Sequence, residues 1–169
     1  MTFELKAQGY PEASAEISED GRFRYTLTRV WDASAARALI CMLNPSTADA
    51  AKDDPTIRRC IGLCSDLGFG GFTVVNLLAF RATDPGDMLG LGAEAFGPKN
   101  TETWAREIAR ATTIIAAWGA QKHPLVARQA KAFCETVAPK TVHCFGLTKD
   151  LQPRHPDISK DRSPSSRQT

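Results

Sequence analysis

Four strand-end segments and one later loop hold the residues best suited to act on a ligand. The first is Leu43-Asn44-Pro45-Ser46-Thr47-Ala48-Asp49. An Asn held at the end of a strand can orient a water or bind a substrate edge, because its amide offers both an acceptor and donors. Pro45 removes a backbone donor and stiffens the turn. A plain Asx turn accounts for the same residues. Asn76 stands inside the otherwise apolar Phe72-Thr-Val-Val-Asn-Leu-Leu-Ala79. Buried without partners, its amide would cost about 1–3 kcal/mol. It therefore either braces a loop or joins Asn44 in reading a polar edge such as a nucleobase. In Arg81-Ala82-Thr83-Asp84 a guanidinium and a hydroxyl could hold a phosphate, or Arg81 and Asp84 could form a surface pair. Trp118-Gly119 closes a further apolar run, where Trp serves core packing more often than stacking. His155, in Gln152-Pro153-Arg154-His155-Pro156, follows the last run; a lone His in a polar loop is usually just solvated, but its position beside three other strand ends makes it a candidate for the site.

The elements that must position these residues are legible from periodicity. Arg22 to Trp31 alternates polar and apolar residues, which predicts a strand with one wet face. Ala38 to Leu43 is apolar on both sides, as an interior strand would be. Asp54-Pro55-Thr56 is a helix start, and Ile57, Cys60, Ile61 and Cys64 give that helix an apolar stripe up to Gly68. Phe72–Ala79 predicts a buried strand, Arg81–Gly86 a loop, and Gly90–Pro98 a glycine-rich irregular stretch. Helices are expected over Asn100–Ala109 and Pro124–Val137, and strands over Thr112–Trp118 and Thr141–Phe145. Strand–helix alternation predicts an α/β fold, a three-layer sandwich with a mainly parallel central sheet of about four core strands plus an N-terminal antiparallel hairpin strand. Ligands in such sheets sit beyond the carboxyl ends of the strands. Residues 1–21 read as an extension, 22–156 as a single domain and 157–169 as a flexible polar tail.

Composition bounds the function. The chain has 169 residues, 43% hydrophobic and 24% charged, with a formal net charge of +2. That suits one globular domain and neither requires nor excludes a nucleic-acid partner. The longest apolar runs are too short to span a bilayer, and the N-terminus has no signal-peptide pattern, so a cytoplasmic protein without membrane contact is expected. The five cysteines, Cys41, Cys60, Cys64, Cys134 and Cys144, supply no four-ligand zinc set and read as buried reduced thiols. No metal or other cofactor is expected, and a monomer is the default.

Taken together, these segments resemble the bacterial family catalogued as domain of unknown function 1643. The resemblance runs from about Arg22 to His155. It is carried by Leu43–Asp49, Asp54-Pro55-Thr56, Asn76–Pro85, Gly97-Pro98-Lys99-Asn100 and Trp118-Gly119. More distantly, the order of strand-end motifs is similar to the uracil-DNA glycosylase superfamily. Leu43-Asn44-Pro45 resembles that group's water-positioning element, with Met42 where the group has Gly. Val75 to Thr83 resembles its base-reading segment, with Phe80 nearest to a stacking ring. His155-Pro156 stands where a His-Pro-Ser loop enters the minor groove, with Asp157 in place of Ser. The resemblance implies a glycosylase-like enzyme that hydrolyses an N-glycosidic bond in DNA or a nucleotide. It assigns catalysis to Asn44 and His155, and ligand binding to Pro45, Ser46, Asp49, Asn76, Phe80, Arg81, Thr83, Trp118 and Gly119. A non-catalytic nucleotide or nucleic-acid binding module is the alternative, favoured by Asp157 and the missing Gly. A hydrolase or transferase acting on another small molecule is a third.

Overall fold

The computed structural model describes residues 2–4, 10–46 and 48–156. Its strands form one sheet: β1 (Thr2–Glu4), β2 (Glu12–Ile17), β3 (Arg24–Val30), β4 (Arg37–Met42), β5 (Gly71–Asn76), β6 (Thr113–Ala116) and β7 (Val142–Cys144), in the order β1-β2-β3-β5-β4-β6-β7. β4 runs parallel to β5 and β6, and β6 parallel to β7, whereas β3 is antiparallel to both β2 and β5. Helices α1 (Pro55–Asp66), α2 (Pro85–Leu89), α3 (Asn100–Arg110) and α4 (Pro124–Val137) fill the connections, with a 3-10 turn at Gly92–Phe96. The fold is thus a mixed α/β sheet, mostly parallel at its centre and antiparallel at its N-terminal side.

β4 is the central strand because it can be buried on both faces. Ala38, Ile40 and Met42 join one core cluster, with Leu27, Phe72, Val74 and the Ile57–Cys60–Cys64 stripe of α1. Leu39 and Cys41 join the other, with Trp104 and Ile108 of α3 and Phe133 and Val137 of α4. Alternate residues of a strand face opposite ways, so the clusters lie on opposite sides of the sheet. α1 begins where Asp54 accepts from Ile57 N at 2.8 Å with Pro55 in the first turn. The chain leaves β4 through α1 to β5 on one side, then passes through α3 to β6 on the other side of β4. That reversal opens a crevice between the carboxyl ends of β4 and β6.

Four expectations need correction. β3 has no wet face: all seven of its residues are buried, including Arg24 and Arg29, each 1% exposed. β2 covers its flank, and so the segment read as an extension outside the domain supplies a strand whose Ala13, Ala15 and Ile17 are buried. Small apolar residues alternating with Glu and Ser made that strand inconspicuous. The loop expected over 81–86 gives way at Pro85 to the short helix α2, and the irregular stretch over 90–98 holds the 3-10 turn. Cys41, Cys60 and Cys64 are buried thiols, but Cys134 and Cys144 are exposed, the latter on the edge strand β7. Thr47, Asp157, Asp161 and the expected polar tail lie outside the described residues.

Candidate functional site

The crevice holds a cavity of about 480 Å³, lined among others by Arg24, Asn44, Ser46, Asp54, Thr56, Thr83, Trp118, Gln121 and His155. Its walls are fixed by backbone bonds that extend the parallel pairing beyond the strands: Leu77 N to Met42 O, 2.8 Å, and Leu78 N to Leu43 O, 3.0 Å. The loop after β4 is then clipped to the loop after β5. Ala82 N donates to Pro45 O at 3.1 Å, and Asn44 Nδ2 donates to Ala82 O at 2.9 Å and to Pro45 O at 3.1 Å. Two carbonyl partners set the orientation of the amide, so Oδ1 is the atom left to act on a ligand. Ser46 Oγ donates to Asp54 Oδ2, while Asp54 Oδ1 accepts from Ile57 N.

The opposite wall comes from β6 and the segment after β7. Gly119 takes φ +79°, a backbone state that favours glycine, and its N–H donates to Pro153 O at 2.9 Å. The same segment folds back on itself through Thr148 N to Gln152 O, 2.8 Å, and Arg154 N to Gly146 O, 2.9 Å. These bonds bring His155 beside Gly119 and into the cavity wall. Trp118 is 6% exposed and packs edge-on against Phe133 at 6.2 Å, so the core reading of Trp holds. Yet it also lines the cavity, and its buried Nε1 has no partner among the described residues.

Arg24 is the residue that sequence reasoning missed. Along β2 and β3 the register runs Ala13 with Arg29, Ala15 with Leu27, then skips to Ile17 with Arg24. One extra residue in β3 changes the alternation, as a β-bulge does. Arg24 consequently lies on the α1 face with Leu27 and Arg29 instead of on the opposite one. Its Nη1 donates to Ala48 O, but its buried Nε has no partner among the described residues. Burial pushes the guanidinium down to about 10, which leaves it a cation at neutral pH. Asp54 is the other addition; its strong helix-cap signal concealed a place in the cavity wall.

The structure therefore brings together Asn44, Ser46, Thr83, Trp118 and His155. It sets others apart. Pro45 is buried and contributes its carbonyl to the loop clip. Asp49 Oδ1 accepts from Ala51 N and Lys52 N, the Asx turn that was the competing reading. Phe80 and Arg81 line an adjoining concavity of about 290 Å³, which shares Ser46, Ala82 and Thr83 with the first. Arg81 Nη1 donates to Gly21 O at 3.2 Å instead of pairing with Asp84, whose carboxylate caps α2. Asn76 is 1% exposed, and its backbone carbonyl accepts from Asn100 Nδ2 and Trp104 Nε1 at 3.1 and 3.0 Å. Its side-chain amide has no partner among the described residues and does not line the cavity, although its register neighbour Met42 does.

Among the described residues no group of three or more His, Cys, Asp or Glu side chains could hold a metal ion, and no helix is long and apolar enough to cross a membrane. Residues 24–156 match the model of one protein family, described as a protein of unknown function (DUF1643). The chain belongs to the DUF1643 family. The matched span begins at Arg24 and ends just past His155, and so contains every element of the cavity. No curated protein and no solved structure matches the chain.

Proposed function

We propose that this DUF1643 protein hydrolyses an N-glycosidic bond of a nucleobase compound. The observation that carries the reading is the convergence of Asn44 and His155 on one cavity, with Asn44 turned so that Oδ1 is its available atom. Oδ1 accepts a hydrogen from a water and aims its lone pair at the anomeric carbon. The carbon–oxygen bond forms as the carbon–nitrogen bond breaks, the electron pair leaves with the base, and the water proton passes to solvent. His155 donates a hydrogen bond to the charge developing on that base, an interaction that strengthens only as the bond breaks. Trp118 supplies an apolar wall. The cavity size falls within the range of small-molecule sites. Core clusters on both sheet faces also support a three-layer reading of the fold.

The test is base release from labelled duplexes and single strands carrying uracil, mismatched thymine or damaged bases, and from free nucleosides and nucleotides. Release should occur on at least one substrate and fall about 100-fold or more in Asn44→Ala. No release across the panel would overturn the reading. Binding without bond cleavage is the second reading. Asn76 favours it, because the amide expected to read the base does not open onto the cavity.

A further inference from the structure

Of the six buried side-chain atoms without a partner among the described residues, three belong to Asn76 and Asn100, away from the cavities, and three border the two hollows. Arg24 Nε and Trp118 Nε1 belong to residues of the main cavity, and Arg81 Nε belongs to the adjoining concavity. All three are donors. The two hollows meet at Ser46, Ala82 and Thr83, between Arg24 on one side and Arg81 on the other. The two guanidiniums are close enough that Arg81 opposes the charge on Arg24, while Asp54, the stronger influence, and Asp49 favour it.

Nearby carboxylates do not neutralise this arrangement by direct pairing. Asp54 is occupied by Ser46 Oγ and Ile57 N, and Asp49 by Ala51 N and Lys52 N. Neither forms a salt bridge with Arg24 or Arg81 among the described residues, whereas Arg29 pairs with Asp53 at 2.8 Å. Two cations with vacant donors, beside the Thr83 hydroxyl, make a receptor for a compact oxyanion.

We propose that the joined cavities bind a nucleoside monophosphate, with its phosphate held between Arg24, Arg81 and Thr83 and its base directed towards Trp118 and His155. The assignment rests on the proposed nucleobase reading and narrows it to a free phosphate monoester. A DNA strand fits less well, because Asp20 shares the adjoining hollow with Arg22 and Arg81 and Asp84 directly follows Thr83, which sets negative charge beside a longer polyanion.

Calorimetric titration of the full chain with adenosine, guanosine, cytidine and uridine, each beside its 5′-monophosphate, tests this directly. Inorganic phosphate and a short single-stranded DNA serve as further probes. At least one monophosphate should bind 10-fold or more tightly than its nucleoside. That preference should disappear in Arg24→Met and shrink at least three-fold in Arg81→Ala, a surface-side change that keeps the fold testable should the buried one disrupt it. Equal binding, or no binding, across all four pairs overturns the proposal. So does a preference that survives in folded Arg81→Ala and Arg24→Met, or a DNA oligomer that outcompetes every monophosphate. Phosphate-dependent binding without base release would sink the hydrolytic reading alone. Base release from nucleosides without phosphate preference would sink this one alone.

Discussion

Arg24 and Arg29 stand on the same face of the same strand, each 1% exposed, and their surroundings could hardly differ more. Arg29 is saturated. Its Nε donates to Asp53 at 2.8 Å, Nη1 to Thr28 O and Nη2 to Asp49 O, and Tyr10 lies against it with its hydroxyl on the second Asp53 oxygen at 2.9 Å. Burial, then the Asp53 hydrogen bond, pushes the Tyr10 phenol up. Arg24 has one carbonyl, no carboxylate partner among the described residues, and a vacant buried Nε at a cavity. A buried cation with a partner at each of its nitrogens is explained by the fold it closes. A buried cation left unfinished at a cavity calls for a partner that the described residues do not supply.

The largest expected effect lies on the saturated side. Asp53→Ala leaves the Arg29 charge buried without its counter-ion, a loss of about 3–5 kcal/mol. Urea unfolding of the variant should read this as an earlier midpoint at an unchanged slope. A loss under about 1 kcal/mol would mean that the backbone carbonyls alone satisfy Arg29, and the contrast with Arg24 would collapse.

How much of this was legible depended on whether the signal was local. The β4 strand, the Asp54 cap and the α4 limits follow from neighbouring residues, and the structure has helix α4 at Pro124–Val137 as periodicity placed it. Asn44, Ser46, Thr83, Trp118 and His155 were identifiable because each closes or follows a strand, and parallel strands bring such ends together. Arg24 was not. Simple alternation assigns it to the side opposite Leu27, and only the register skip opposite Ile17 turns it inward. Nor was β2 legible, since its Ala-Ser-Ala pattern becomes apolar surface only once β3 lies beside it. Asn76 was recognised as an anomaly, but the sequence could not show that its backbone carbonyl, bound by Asn100 and Trp104, carries the bracing while the amide stays idle.

That idle amide gives the next effect in size. Both polar atoms of the Asn76 side chain are buried without partners among the described residues, so an apolar side chain of similar size removes a penalty and breaks no bond shown there. Asn76→Leu should stabilise the chain by about 1 kcal/mol, measured by urea unfolding, and leave nucleotide affinity unchanged. A stabilised variant that no longer binds nucleotide would instead make Asn76 part of the ligand site, reached by a turn of its side chain past Met42.

The smallest effect on stability is the one that separates the two arginines most sharply. Arg24→Met keeps much of the buried volume and removes a cation that forms no salt bridge among the described residues, although Asp54 and Asp49 favour its charge from a distance. The desolvation relieved offsets the Ala48 bond and the attraction of Asp54 and Asp49 that are lost, so the unfolding free energy should move by less than about 1 kcal/mol in either direction. Arg29→Met, made in parallel, strands Asp53 and should lose several times more. If both variants fall together, Arg24 is as structural as Arg29, and its vacant donor is only a tolerated defect of packing. If Arg24→Met stays folded at wild-type stability, the charge is dispensable to the fold. A chain that keeps a dispensable charge in its interior, at the meeting point of two cavities, must be using it on what enters them.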